Sequence, residues 1–284
     1  MLFVPRQTSS YFTYDNWGAN PSATPGTAVT PGASNAEGSW TQLASSANIA
    51  QDVYGFYIQV AAGATSTAIK SHLLDIGVDP AGGTSYSAII SNLVCGASPS
   101  LAQAGAREFF FPFYIKGGSS VAARIQGSNA TAGTVRVIAR FYGHLTVPES
   151  MSVGAFSETI GTITNSSGVS FTPGNAADGT WVSLGTTVNP LWWWQLGYQI
   201  DNATITAEYT YIELAHGDGT NKHSIFKVMH GGTTSETCGL AMQTSLLSIA
   251  AYKPVPGGTT IYVRGRCNNA PDTGYNAVAV GVGG

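Results

Sequence analysis

The sequence predicts an all-β protein of two tandem, internally duplicated antiparallel β-sandwich or jelly-roll domains, preceded by an extended N-terminal arm. The first observation is a phrase the chain contains twice. Gly117-Gly118-Ser119-Ser120-Val121-Ala122-Ala123-Arg124 returns as Gly257-Gly258-Thr259-Thr260-Ile261-Tyr262-Val263-Arg264. Each copy is a Gly-Gly turn feeding a β-prone run that ends on arginine, and a long repeat period decides architecture before any other signal. The second is the spacing of apolar runs, about seven or eight per repeat at roughly 8- to 16-residue intervals with turn residues between them, as in sandwiches and jelly rolls. The third is composition: charged residues are 10% of the 284, with 35 glycines, against about 25% charged in ordinary soluble domains.

Residues 1–26 stand outside the duplication. Tyr11, Phe12, Tyr14 and Trp17 crowd a short polar segment rich in turn signals such as Asn20-Pro21 and Pro25-Gly26. Exposed large aromatics favour burial against a partner, so this arm reads as a docking element and these four residues as partner-binding. Repeat 1 spans 27–146. It opens at Thr30-Pro31-Gly32 with Trp40 behind, as the second opens at Thr172-Pro173-Gly174 with Trp181, and both tryptophans are expected as core anchors. Repeat 2 with its linker spans 147–284, the linker running to about residue 168.

Within the repeats, Val53–Val60 matches Trp192–Ile200, both aromatic β-prone runs. His72–Asp79 matches Tyr211–Asp218, each with an acid between apolar residues, the alternation of a strand with one wet face. Tyr86–Ile90 and His223–Val228 follow as strands, then Glu108–Ile115 and Leu246–Tyr252, where Pro112 and Pro254 mark edges or bulges. Helix signals are nearly absent; Ser98–Arg107 is a loop or single turn.

Chemistry is sparse. Asp75 with Asp79 offers oxygen ligands for calcium, but Asp79 before Pro80-Ala81-Gly82-Gly83 is equally turn chemistry. His216, His223 and His230 cluster in sequence without a spacing that converges them as zinc requires. Cys95, Cys238 and Cys267 form no CxxC pair and read as buried free thiols of a chain made in a reducing cytoplasm. No nucleophile elbow or phosphate-cradling loop is present. The expectation is a protein that is not an enzyme and holds no cofactor or metal. A net charge of -3 with 12 Lys plus Arg argues against nucleic acid as a partner. No segment reaches the roughly 18 apolar residues of a membrane span, and Met1–Arg6 lacks the pattern of a secretory signal.

The Trp192-Trp193-Trp194 run is the most distinctive local feature. Strand alternation puts Trp192 and Trp194 on one face and Trp193 on the other. Two readings of Trp193 stay open: packing between the domains, or an exposed partner-binding surface that stacks on a protein or a sugar ring.

Met1-Leu2-Phe3-Val4-Pro5-Arg6, Leu74–Thr84 and Ile115–Arg124 together resemble virion structural proteins of tailed bacteriophages. The resemblance implies a non-enzymatic β-sandwich component of the particle, located in the virion and assembled in the host cytoplasm. Its partners would be further copies of itself and other virion proteins; the duplication, rather than the resemblance, suggests a trimer, whose three chains present six similar modules. A place at the tail tip, baseplate or fibre region is slightly favoured over capsid decoration. The alternative is a carbohydrate-binding module contacting host surface glycans, with Trp193, Tyr54 or Tyr57 as platforms.

Overall fold

The computed structural model describes residues 13–16, 26–62, 72–95, 107–128, 133–143, 153–163, 167–200, 208–232, 238–243, 254–268 and 275–284. The first sandwich comprises β1 (Thr13–Asn16), β2 (Thr27–Val29), β3 (Thr41–Ala44), β4 (Gly55–Ala62), β5 (His72–Asp79), β6 (Ser87–Val94), β7 (Arg107–Phe111), β8 (Ser120–Gly127) and β9 (Val135–Tyr142). One sheet runs β1-β9-β4-β7, with β2 also on β9; the other runs β3-β8-β5-β6.

The second sandwich repeats the plan with β10 (Phe156–Ile160), β11 (Thr162–Ile163), β12 (Ser167–Phe171), β13 (Gly174–Asn175), β14 (Val182–Thr186), β15 (Trp193–Ile200), β16 (Glu208–Gly217), β17 (Lys222–Gly232), β18 (Cys238–Gln243), β19 (Thr260–Cys267) and β20 (Tyr275–Gly283). Its sheets run β11-β12-β20-β15-β18, with β10 on β20, and β13-β19-β16-β17, with β14 on β19. If β1 with β2, or β10 with β12, counts as the first of eight wound strands, both sandwiches have one sheet ordered first-eighth-third-sixth. The other is ordered second-seventh-fourth-fifth. That is a jelly roll, made twice. Among the described residues every ladder is antiparallel except β13 with β19.

The Gly-Gly turns show how local chemistry enforces the duplication. Gly118 and Gly258 have φ of +81° and +77°, and nothing lies within 4 Å of where a Cβ would stand. Backbone conformation, not space, requires glycine there. Each turn is tied by the same bond, from Gly118 N–H to Ile49 O and from Gly258 N–H to Thr187 O.

Each sandwich fills its own interior. Phe56, Phe111 and Phe141 are fully buried in the first, with the Phe56 ring tilted against Phe111 at 5.4 Å and against Phe141 at 6.1 Å. In the second, Phe171 packs 5.5 Å from Tyr275, whose hydroxyl shares a 2.7 Å hydrogen bond with Thr210.

Two boundaries differ from the sequence reading. Of residues 1–26, Thr13–Asn16 form a sheet-edge strand, β1, paired along β9 from Thr13↔Tyr142 to Asn16↔Ala139. Residues 156–163 of the expected linker supply β10 and β11, and β10 pairs with β20 as β1 does with β9. The Leu246–Tyr252 strand, Cys238 as a side chain and most of the 98–107 loop lie outside the described residues; Cys95 and Cys267 are buried, and the Cys267 thiol donates to Gly174 O at 3.3 Å.

Candidate functional site

The largest feature built by both halves is the joint between them. In β15 the core-facing side chains are Trp194, Leu196 and Tyr198, which join the second core. The alternate positions, Trp193, Gln195 and Gly197, face the other way, yet every residue from Leu191 to Tyr198 is buried. All nine residues of β20 are buried as well. A strand buried on both faces needs a cover on each, and the second cover is the first sandwich. Trp192, Trp193, Val280 and Val282 belong to the same apolar cluster as the first core, and Val278 makes a smaller one with Leu73 and Val94. The outer face of β10-β20-β15 thus sits on the flank formed by β6 and β7.

Polar contacts fix the register of this joint. Ser157 Oγ donates to Ile89 O, Thr159 Oγ1 to Ser91 O, and Gln195 Nε2 to Phe110 O. Gly154 N–H donates to Pro112 O at 2.7 Å, and Tyr114 N–H to Gly154 O at 3.0 Å. Gly197 is required by proximity: a Cβ there would stand 2.7 Å from Val94 Cβ. Trp193 meets Phe110 edge-on at 5.8 Å. Of the two readings of Trp193, packing between the domains is the one the geometry matches. At 1% exposure it offers no free surface for stacking on a partner. Trp192 departs from the predicted alternation because the strand begins only at Trp193; it turns toward the same side and meets Trp193 at 6.4 Å.

The second feature is a bracket on the outer face of each second sheet, also duplicated. Arg124 lies 4.5 Å over the Trp40 ring and Arg264 4.2 Å over Trp181. Arg124 Nη2 pairs with Asp75 at 2.9 Å, and Arg264 Nη2 with Glu213 at 2.7 Å and Asp178 at 2.8 Å. Glu37 also pairs with Arg124. The two tryptophans are therefore not core anchors, a correction to the sequence reading. They cover an arginine from outside, where cation–π attraction and the ion pairs act together. The signal was present in sequence as a Trp and an Arg recurring at matching places in both repeats. A Trp over an Arg and a Trp in a core have the same β-prone surroundings.

Asp75 is 4% exposed and accepts Arg124 and the Asn92 N–H (2.7 Å) at a bulge where Asn92 has φ +55°. Asp79 accepts the N–H groups of Ala81 and Ser85, both at 2.9 Å, the turn chemistry. β5 is buried throughout rather than half wet, because Trp40 covers Gly77 and the second sandwich covers Leu73.

The histidines separate. His216 and His223 are cross-strand partners with rings 5.5 Å apart, whereas His230 pairs with Thr210 near the other end of the same ladder. Burial, and then His223, holds the His216 ring below its ordinary value of 6.5. No group of three metal-ligating side chains occurs among the described residues.

Of the arm residues, Tyr14 is half-buried and stacks on Phe141 at 6.2 Å. Tyr11, Phe12 and Trp17 lie outside the described residues. Tyr54 packs against Tyr114 at 5.7 Å. The Tyr57 hydroxyl donates to Glu108, and burial and that carboxylate both hold its pKa up.

No protein-family model matches the chain and no curated protein matches it. Among solved structures it is similar to a chain of the naturally occurring empty particles (top component) of cowpea mosaic virus, at 8% identity and TM-score 0.34 over 92% of each chain. It is also similar to the N-terminal CBM22-1–CBM22-2 tandem domain of a Paenibacillus barcinonensis protein, at 10% identity and TM-score 0.28 over 97% of this chain and 92% of that one. A third is infectious bursal disease virus Gx strain, at 9% and 0.23 over 96% and 71%. At such scores these likenesses carry no argument. The jelly-roll assignment rests on strand order.

Proposed function

We propose that the chain is a non-enzymatic structural subunit of a bacteriophage virion, present in several copies and held there by its jelly-roll faces. The observation that carries this reading is the joint. A sheet face made of Trp193, Val278, Val280 and Val282, seated on the flank of a duplicated module, is a surface adapted to packing jelly roll on jelly roll. Function has to be argued from such surfaces rather than from the fold, which serves many roles. The charge-poor composition supports it, since a subunit covered by neighbours needs fewer solubilising charges. The arginines best placed to bind an anion, Arg124 and Arg264, are occupied by carboxylates of their own sandwich. The phrases of the sequence that resemble tailed-phage virion proteins favour a phage particle. A tail-proximal site is the favoured position, capsid decoration the next.

The test is a cryo-EM reconstruction of intact particles from the source, together with mass spectrometry of the purified particles. Symmetric density into which two jelly rolls in this arrangement fit, at the tail end, is the expected result. Density at regular capsid positions moves the subunit to decoration. Absence of the chain from purified particles rejects the proposal.

A further inference from the structure

The joint uses one flank and one face, and the duplication means that the chain carries each of them twice. On the flank, Leu73 pairs across to Val94, and the two are 1% and 2% exposed beneath Val278. Leu73 stands two residues before Asp75, the acid of the first bracket. Tyr211 stands two residues before Glu213, the acid of the second, and pairs across to Met229. Tyr211 and Met229 are therefore the counterparts of Leu73 and Val94, but they are 50% and 65% exposed.

On the face, Val278 pairs with Gly197 and its counterpart Ile138 pairs with Gln59. Ile138 is half-buried on the outer side of β4 and β9. Among the described residues, the second flank thus has no cover and the second face has no flank beneath it.

We propose that Tyr211 and Met229 form a docking site for a second copy of this chain. The β4–β9 face of that copy, centred on Ile138, would cover them as the β15–β20 face covers Leu73 and Val94. This rests on the reading of the chain as an assembly subunit and names its first partner. Tyr211 and Met229 are two of the four large apolar side chains exposed among the described residues and are neighbours across one ladder, and methionine suits a contact that must accommodate an imperfect match. The two surfaces differ, so the contact is head-to-tail and builds a ring if the rotation closes or a filament if it does not. It is also more polar than the joint. Arg140 stands where the joint has Val280, Tyr142 where it has Val282, and Gln59 where it has Gly197. Such an interface suits reversible association between copies rather than a permanent one.

Sedimentation velocity of the full chain across a range of concentrations tests this. Wild type should self-associate, and Met229→Lys and Ile138→Lys should each weaken association by about tenfold or more, as loss of a central apolar anchor does. Val188→Lys, at an equally open position (79% exposed), should leave it unchanged. Thermal melts establish that each variant is folded. Mixing Met229→Cys with Ile138→Cys chains under mild oxidation should give a covalent dimer that neither variant gives alone. A 229-to-229 dimer, or association indifferent to both lysine variants, overturns the inference while leaving the subunit reading intact. A chain found in particles yet monomeric in solution overturns it too, and assigns the patch to another virion protein. A chain both monomeric and absent from particles defeats the subunit reading itself.

Discussion

β9 and β20 hold the same place in the two jelly rolls, as the strand between the first and third of the wound order, yet they are written differently. β9 reads Val-Arg-Val-Ile-Ala-Arg-Phe-Tyr and alternates buried with half-buried positions along its whole length. β20 reads Tyr-Asn-Ala-Val-Ala-Val-Gly-Val-Gly and is buried at every position. Their inward residues are alike in kind, as a shared core plan demands. Their outward residues record what each face meets: water and an Asp15–Arg140 ion pair for β9, a second sandwich for β20. Of the two copies of this surface, one is an interface within the chain and the other is polar.

The sharpest way to break that difference is to write β9's residue into β20. Val280→Arg places at the joint the residue that Arg140 is in the first sandwich, but without an Asp15 to meet it. An unpaired charge forced into a buried apolar contact costs about 3–5 kcal/mol. Chemical denaturation should show a large loss of stability and two transitions in place of one, as the sandwiches part. The reverse change, Arg140→Val, removes only a partly exposed ion pair and should cost less than about 1 kcal/mol. A single transition of unchanged midpoint in Val280→Arg would mean that the joint does not couple the halves.

Gly197→Gln is the second exchange, since Gln59 is its counterpart. The new Cβ would meet Val94 Cβ at 2.7 Å and Val94 O at 3.3 Å. Backbone and a buried side chain have to give, which costs about 1–3 kcal/mol. Gln59→Gly should change stability much less, at about 1 kcal/mol or below. Equal losses in the two variants would show that the two faces are equally packed.

Much of this was legible in the chain. The Gly-Gly turns, the paired aromatic runs and the repeat order were sufficient for two sandwiches, because core positions and positive-φ glycines are imposed locally. The run of Val278, Val280 and Val282 at alternate positions of β20, where β9 has Ile138, Arg140 and Tyr142, was the trace of the joint, visible only once β9 stands beside it. Trp193 was ambiguous in isolation, because alternation says which side a residue faces and not whether that side is wet. The edge strands β1 and β10 escaped into the arm and the linker. Thr-Tyr-Asp-Asn and Phe-Ser-Glu-Thr-Ile carry no alternating pattern of their own; pairing with β9 and β20 makes them strands. Trp40 and Trp181 were misplaced because an arginine about eighty residues away in sequence decides where they stack.

The brackets give a finer comparison. Asp75→Ala leaves Arg124 paired with Glu37 alone and, unlike any change in the second bracket, strips the Asn92 N–H of its acceptor, a loss of about 1–3 kcal/mol. Glu213→Ala leaves Arg264 still paired with Asp178, and its cost should stay below about 1 kcal/mol. Thermal denaturation of the two variants side by side reads the ranking. A larger loss for Glu213→Ala would mean that the second bracket, not the first, anchors its sheet.

The smallest effect separates the sandwiches by pH. The counterpart of the His216–His223 pair is Val78–Ser87, so the first sandwich has no titrating group there. Burial, then the neighbouring His223, lowers the His216 pKa from 6.5. The unfolded chain therefore takes up the proton first as the pH falls. Stability associated with the neutral ring is present above about 6.5 and is lost as the pH drops toward and through the lowered folded value, below which no further loss comes from this group. Melting temperatures measured across this window should decline in wild type and decline less in His216→Gln. His223→Gln should fall between them, since it removes the second cause of the shift but leaves the first. An identical slope in all three proteins would place the acid sensitivity elsewhere and leave the two sandwiches indistinguishable in this respect.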